Sequence, residues 1–126
     1  MQNSIVKFVA LPILILVTSS AGAAAGSCAS SSFWFRFQNE TVDADIETSA
    51  EGCYVNYRSG GRTTFTNSSI ASAPRNGKLS RMGSYGFNYQ PRNGFHGKDG
   101  FSVKICGRGT TPAVGCSTIR YAVAVR

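Results

Sequence analysis

The sequence holds one histidine, no Cys-x-x-Cys pair and, after Glu51, a single carboxylate, Asp99. Each scarcity excludes a class of chemistry. General acid–base or nucleophilic catalysis needs a base within reach of a partner, and His96 stands in a Gly-rich stretch with no serine and carboxylate arranged around it. Zinc needs four nitrogen or sulfur ligands, and neither the cysteine spacing nor a lone histidine supplies them. Asp43-Ala44-Asp45 with Glu40 and Glu47 offers oxygen ligands but no EF-hand loop pattern, so it reads as a solvated acidic loop. The expectation is a protein with no catalytic residue, no metal and no small-molecule cofactor. No window of eleven or more mature residues repeats apolar positions at 3.6, which leaves no amphipathic helix and makes the class all-β.

What is present begins with an apolar stretch, Phe8 to Val17, too short to span a bilayer and followed by small residues at Ala21-Gly22-Ala23 and Ala23-Ala24-Ala25. It predicts a signal peptide over 1–25 and a mature domain over 26–126, secreted or periplasmic and not integral to a membrane. Lipidation at Cys28 is a weaker alternative, because Ala25-Gly26-Ser27 lacks the expected leucine. All four cysteines (Cys28, Cys53, Cys106, Cys116) follow the cleavage site, and an even number in an exported chain implies two disulfides. Of the three pairings, Cys28–Cys53 with Cys106–Cys116 is favoured, since each pair flanks one turn or loop between neighbouring strands. A domain of this size has a thin core and gains from such links.

Strand-like alternation recurs along the mature chain. Phe33, Phe35 and Phe37 alternate with Trp34, Arg36 and Gln38; Cys53, Val55 and Tyr57 alternate with Tyr54, Asn56 and Arg58. Turns are expected at Ser59-Gly60-Gly61-Arg62, Asn67-Ser68-Ser69, Ser72 to Gly77 and Met82-Gly83-Ser84. Tyr85, Phe87 and Tyr89 share a face. The last two strands carry Phe101, Val103 and Ile105, then Ile119, Tyr121, Val123 and Val125, around a loop over 107–115. Setting Cys106 opposite Cys116 pairs Val103 with Ile119 and Phe101 with Tyr121 on the core side, and Ser102 with Arg120 on the other. That register puts the bridge on the polar face, away from the core, and brings Lys104 and Arg120 together diagonally. About seven short strands at this spacing predict an antiparallel sandwich.

One stretch is more specific: Tyr89-Gln90-Pro91-Arg92-Asn93-Gly94-Phe95-His96-Gly97-Lys98-Asp99-Gly100-Phe101, with Pro74-Arg75-Asn76-Gly77 upstream. Pro91 removes a donor and ends a strand, Gly94 and Gly97 allow positive φ, and Asp99 can accept backbone N–H bonds before Phe101 enters the core. The pattern resembles that of bacterial immunoglobulin-like, cadherin-like modules, here as a stand-alone secreted domain with four cysteines. The resemblance covers roughly residues 73–125. It implies an immunoglobulin-like sandwich and a role in adhesion, spacing or ligand display at a cell surface, with no reaction.

The expected function is therefore a non-enzymatic, exported interaction module, binding a protein or cell-envelope partner through a sheet face or the 107–115 loop. The alternative is a binder of anionic polymer, such as a glycan, lipopolysaccharide or nucleic acid. From Gly52 onward eleven Lys and Arg residues face the one acid, and Arg58, Arg62, Arg92, Lys98, Lys104 and Arg120 form the candidate anion-binding set. These charges are dispersed, a pattern that solubility alone also produces. Trp34 points away from its phenylalanine neighbours. Tryptophan is highly buried on average, which predicts packing beneath a loop; the other reading is an exposed anchor for a partner.

Overall fold

A computed structural model describes residues 26–58 and 61–126; the segment 1–25, expected to be a signal peptide, and the Ser59-Gly60 half of the expected turn lie outside them. The described residues are all-β. Among them nine strands follow one another: β1 (Gly26–Ser27), β2 (Ala29–Ser30), β3 (Glu40–Thr48), β4 (Cys53–Asn56), β5 (Thr64–Ser72), β6 (Gly77–Arg81), β7 (Gly86–Pro91), β8 (Gly97–Arg108) and β9 (Gly115–Val125). They form a four-stranded sheet in the order β1-β4-β7-β6 and a five-stranded sheet in the order β2-β3-β9-β8-β5. Against the expected seven, β1, β2 and β3 are added and the expected strand over 33–37 is not formed; β1 and β2, two residues each, lie where the chain crosses from one sheet to the other at Cys28.

The core lies between the sheets. Phe87 and Tyr89 of β7 meet Phe101, Val103 and Ile105 of β8 and Ile119, Tyr121 and Val123 of β9, all buried. Each such side chain contributes about 1.5–3 kcal/mol through removal from water. The β8–β9 ladder has the expected register: Cys106 opposite Cys116, Val103 opposite Ile119, Phe101 opposite Tyr121, Ser102 opposite Arg120. Both disulfides pair as expected, Cys28–Cys53 and Cys106–Cys116, and they suggest an oxidising environment. The Cys28 sulfur is thereby committed to a bridge. Sulfur is not absent from the core, however. Cys106 sits off the core face, but Cys53 is part of the buried cluster and Cys28 packs against it.

Three local expectations are corrected. The acidic segment is not a loop but β3, a nine-residue strand: Ala44, Ile46 and Thr48 point inward while Asp43, Asp45 and Glu47 point to solvent, as period-2 geometry allows. Asn67-Ser68-Ser69 lies inside β5, with register shifts between Phe65 and Asn67 and between Ile70 and Ser72. Buried Ser68 is satisfied there, donating to the Ser84 carbonyl at 2.5 Å and accepting from Arg81 Nη2 at 2.9 Å. The Phe33–Phe37 stretch keeps its alternating burial but joins no ladder. Among the described residues no helix is long and apolar enough to cross a membrane.

Candidate binding site

Residues 31–39 connect β2 to β3 and are held to the sandwich at a few points. The Ser31 N–H donates to the Asp45 carbonyl at 3.0 Å, the Arg36 N–H to the Glu40 carboxylate, and the Asn39 N–H to the Cys116 carbonyl at 2.7 Å. Asn39 adopts φ 55°, a left-handed conformation that asparagine tolerates better than most residues. Beneath the segment, Gly107 of β8 faces Gly115 of β9. A Cβ on Gly115 would stand 1.8 Å from the Phe37 carbonyl oxygen, and one on Gly107 would stand 2.9 Å from Phe37 Cζ. The paired glycines are thus the seat on which Phe37 rests.

Alternation does the rest. Phe33, Phe35 and Phe37 are half-buried and join an aromatic cluster. Phe33 meets Tyr121 edge-on at 6.1 Å between centroids, Phe35 meets Phe37 at 5.6 Å and Tyr57 at 6.1 Å, and Phe65 lies 5.1 Å from Tyr85. Under them the Tyr57 and Tyr121 hydroxyls share a hydrogen bond. Burial drives both phenols above their ordinary ionisation range; the neighbouring Tyr121 hydroxyl adds to the effect at Tyr57, and Tyr121 is pushed up to about 12. Both are therefore neutral near pH 7 and serve as structure.

Trp34, between Phe33 and Phe35, has no such place: it is 92% exposed. Among the described residues the expectation that it packs beneath a loop is overturned, because its neighbours fill the inward positions and no described loop covers the outward one. Two adjoining depressions open beside it. One, of about 460 Å³, is lined by Trp34, Phe33, Phe65 and Arg58; the other, of about 300 Å³, runs between Arg36, Gln38 and the Gly109–Ala113 loop; Phe35, Phe37 and Thr63 border both. The expected 107–115 loop contributes its 109–113 part, since Gly107 and Arg108 belong to β8.

The Tyr89 to Phe101 motif occupies the opposite end of the sandwich. Asp99 accepts from the Tyr89 hydroxyl at 2.7 Å, from the Arg75 and Asn76 N–H groups at 3.1 and 3.2 Å, and from the Gly100 N–H at 2.9 Å. The Pro74-x-x-Gly77 turn is therefore tied to the motif by one carboxylate. Pro91 is the last residue of β7, and Gly94 and Gly97 take φ 78° and 132°. Phe101 stacks on Tyr89 at 5.6 Å. His96 is exposed in this turn.

The six candidate cations do not converge. Arg92 covers Phe95 at the motif end. Lys98, Lys104 and Arg120 lie on the outer face of the five-stranded sheet, with Lys104 and Arg120 diagonal as expected. That face is not uniformly basic, because β3 runs parallel beside β9 and sets Asp43 against Arg120. The Arg120 guanidinium grips Asp43 at 2.6 and 3.1 Å and holds its carboxyl below the usual range. Arg58 lines the aromatic depression, and Arg62 lies just before Thr63 on its border. Among the described residues no three His, Cys, Asp or Glu side chains are grouped to hold a metal ion. No protein-family model matches the chain, and no curated protein matches it.

Sequence reasoning missed this end of the molecule as a unit. The signal was divided among the alternating phenylalanines, Phe65, and two glycines eight residues apart whose pairing appears only once the β8–β9 register is drawn.

Proposed function

We propose that this chain is an exported, non-catalytic binding module of immunoglobulin-like fold that holds a protein or cell-envelope partner at the end of the sandwich formed by residues 33–37 and the 109–113 loop. Strand order supports the fold assignment. Taking β3 as the first strand, β4-β7-β6 and β5-β8-β9 correspond to the B-E-D and C-F-G groupings of immunoglobulin-like sandwiches, with β3 shifted to pair with β9. The motif resemblance to cadherin-like modules, the two disulfides and the apolar first segment agree with display outside the cytoplasm.

The observation that carries the reading is Trp34. A tryptophan left 92% exposed beside an aromatic depression forgoes burial that the fold gives to Phe33, Phe35 and Phe37, and large aromatic anchors of this sort dominate binding energy at interfaces. An anion-binding role for the outer sheet face has less support, since Asp43, Asp45 and Glu47 share that face with Lys98, Lys104 and Arg120. Capture experiments on the envelope fraction test the assignment. The wild-type domain and a Lys104→Ala control should retain the same partner and Trp34→Ala should lose it; equal capture by Trp34→Ala would refute the site.

A further inference from the structure

The end of the molecule that displays Trp34 also concentrates positive charge. Arg36 and Arg58 line the two depressions. Arg62 adjoins their border at Thr63, and Arg108, at the end of β8, is paired with Thr64 of β5. The carboxylate nearest to them in the ladder is Glu40, already engaged by the Arg36 N–H and the Ser117 hydroxyl. From Gly52 through Lys98 the chain has no acid, and none follows Asp99, which is held in the corner at the far end. A polar ligand entering here meets guanidinium groups and the exposed face of Trp34, above a lining of half-buried phenylalanines.

We infer that the Trp34 site takes an anionic polysaccharide, with one sugar ring stacked on the indole and the acidic groups of neighbouring sugars on Arg36 and Arg58. The inference rests on the proposed binding site and names its ligand class. The C–H face of a pyranose is slightly positive and suits the negative face of an indole. A guanidinium presents a planar fork that fits a carboxylate or sulfate ester with two parallel bonds. The depressions share Phe35, Phe37 and Thr63, so a chain laid across both passes from Arg58 to Arg36 while Trp34 supports it at the rim. Single-stranded nucleic acid, the competing polyanion, is held by several successive aromatic platforms. Here Phe33, Phe35, Phe37 and Phe65 line the depressions half-buried, with their rings engaged with one another and with Tyr57 and Tyr121, and Trp34 is the one exposed aromatic platform among the described residues. The disulfides, which suggest an oxidising compartment, also favour a glycan over nucleic acid.

Trp34 is the only tryptophan in the chain, so intrinsic fluorescence reports on this residue alone. Titration of the mature domain with polygalacturonate should give a saturable change in that fluorescence. Its affinity should fall about tenfold for a fourfold rise in salt, as two or three ionic contacts at a slope of roughly −0.7 each require. Dextran, the neutral control, should give no change, and a single-stranded DNA oligonucleotide should bind more weakly. Combined Arg36→Ala and Arg58→Ala substitution should cost at least about tenfold in affinity while leaving thermal unfolding in place, both arginines being exposed. The inference is overturned if no fluorescence change occurs, if dextran equals polygalacturonate, if DNA binds as well or better, or if polygalacturonate binding, followed by calorimetry, survives in both Trp34→Ala and the double arginine variant. In each case the site itself is judged separately, by whether Trp34→Ala still captures the envelope partner.

Discussion

Tyr89 donates its hydroxyl to Oδ2 of Asp99, ten residues downstream, at 2.7 Å. The same carboxylate accepts three backbone N–H groups from Arg75, Asn76 and Gly100, so it joins the end of β7, the start of β8 and the turn before β6. Removing the two ends of the Tyr89–Asp99 bond should have unequal effects. Tyr89→Phe leaves Asp99 with its backbone donors and should cost about 1.5–2 kcal/mol, the scale of one charge-assisted bond. Asp99→Ala leaves the Tyr89 hydroxyl and the turn donors without their acceptor and should cost about 3–4 kcal/mol. Urea unfolding of the two variants measures the difference; equal losses would mean that the turn donors find other acceptors.

The phenols predict alkaline behaviour. Burial raises the pKa of Tyr57, Tyr89 and Tyr121 above the ordinary phenol value of 10.0, Asp99 adding to the effect at Tyr89, and Tyr121 is pushed up to about 12. A group whose pKa is raised by folding stabilises the fold fully below its unfolded pKa and loses that contribution as pH rises through the folded value. The contribution of these groups should thus be constant up to about pH 9 and decline above pH 10. Ultraviolet absorbance titration should show these phenols ionising together with unfolding. Complete phenolate formation near pH 10 with the fold intact would contradict their burial.

The two bridges close loops of different length, 25 and 10 residues in sequence separation. Loop-closure entropy assigns about 3.5 kcal/mol to Cys28–Cys53 and about 2.7 kcal/mol to Cys106–Cys116. The structure widens the gap: Cys53 belongs to the buried core, whereas Cys106 and Cys116 join strands already aligned by the β8–β9 ladder. Paired Cys→Ser replacement at 28 and 53 should therefore lower the melting temperature more than replacement at 106 and 116. Peptide mapping without reductant should return only these two links.

Alternation should also separate two adjacent aromatics. Phe35 touches Phe33, Phe37, Tyr57 and Phe65, so Phe35→Ala should cost about 2–3 kcal/mol, reduced from a full core deletion by its partial exposure. Trp34→Ala should change stability by less than about 0.5 kcal/mol. Thermal unfolding of the pair checks this, and a large loss at Trp34 would show that the indole packs after all.

The last hairpin was legible in the sequence because independent constraints agree on one register: apolar faces on both strands, polar faces opposite, and a cysteine pair that must meet. Other segments were harder for physical reasons. In β3 four carboxylates (Glu40, Asp43, Asp45 and Glu47) surround the inward Val42, Ala44 and Ile46, and charge obscured the alternation. In β5 an edge strand with register shifts offers mainly small polar residues, and the buried partner of Ser68 comes from Arg81 and Ser84, more than ten residues away. The Phe33–Phe37 pattern correctly gave which side chains point inward but not that the backbone lacks a neighbour, since period-2 burial needs an extended chain and not a ladder. The role of Asp99 as an acceptor was readable; its hold on the Pro74 turn required the fold. The convergence of Arg36, Arg58 and Trp34 depends on segments that touch only after the sandwich forms.

The glycine pair beneath Phe37 gives the sharpest test of how the candidate site is built. Gly115 lies opposite Gly107, and any side chain at 115 would enter the space held by the Phe37 carbonyl, 1.8 Å from the position of a Cβ. That neighbour is backbone and cannot rotate away, so Gly115→Ala must lift residues 36–38 from the sheet or distort β9. Overpacking of this kind costs about 1–3 kcal/mol. It should also break the bond from the Asn39 N–H to the Cys116 carbonyl, now 2.7 Å. Gly26→Ala in β1 is the control, because a Cβ there meets nothing within 4 Å and the residue lies outside the site. Gly115→Ala should therefore melt at lower temperature, exchange the Asn39 amide proton faster and lose capture of the Trp34-dependent partner, while Gly26→Ala keeps all three properties. If the two variants behaved alike, the 33–37 segment would not be seated on the glycine pair, and the placement of Trp34 beside the depressions would lose its structural basis.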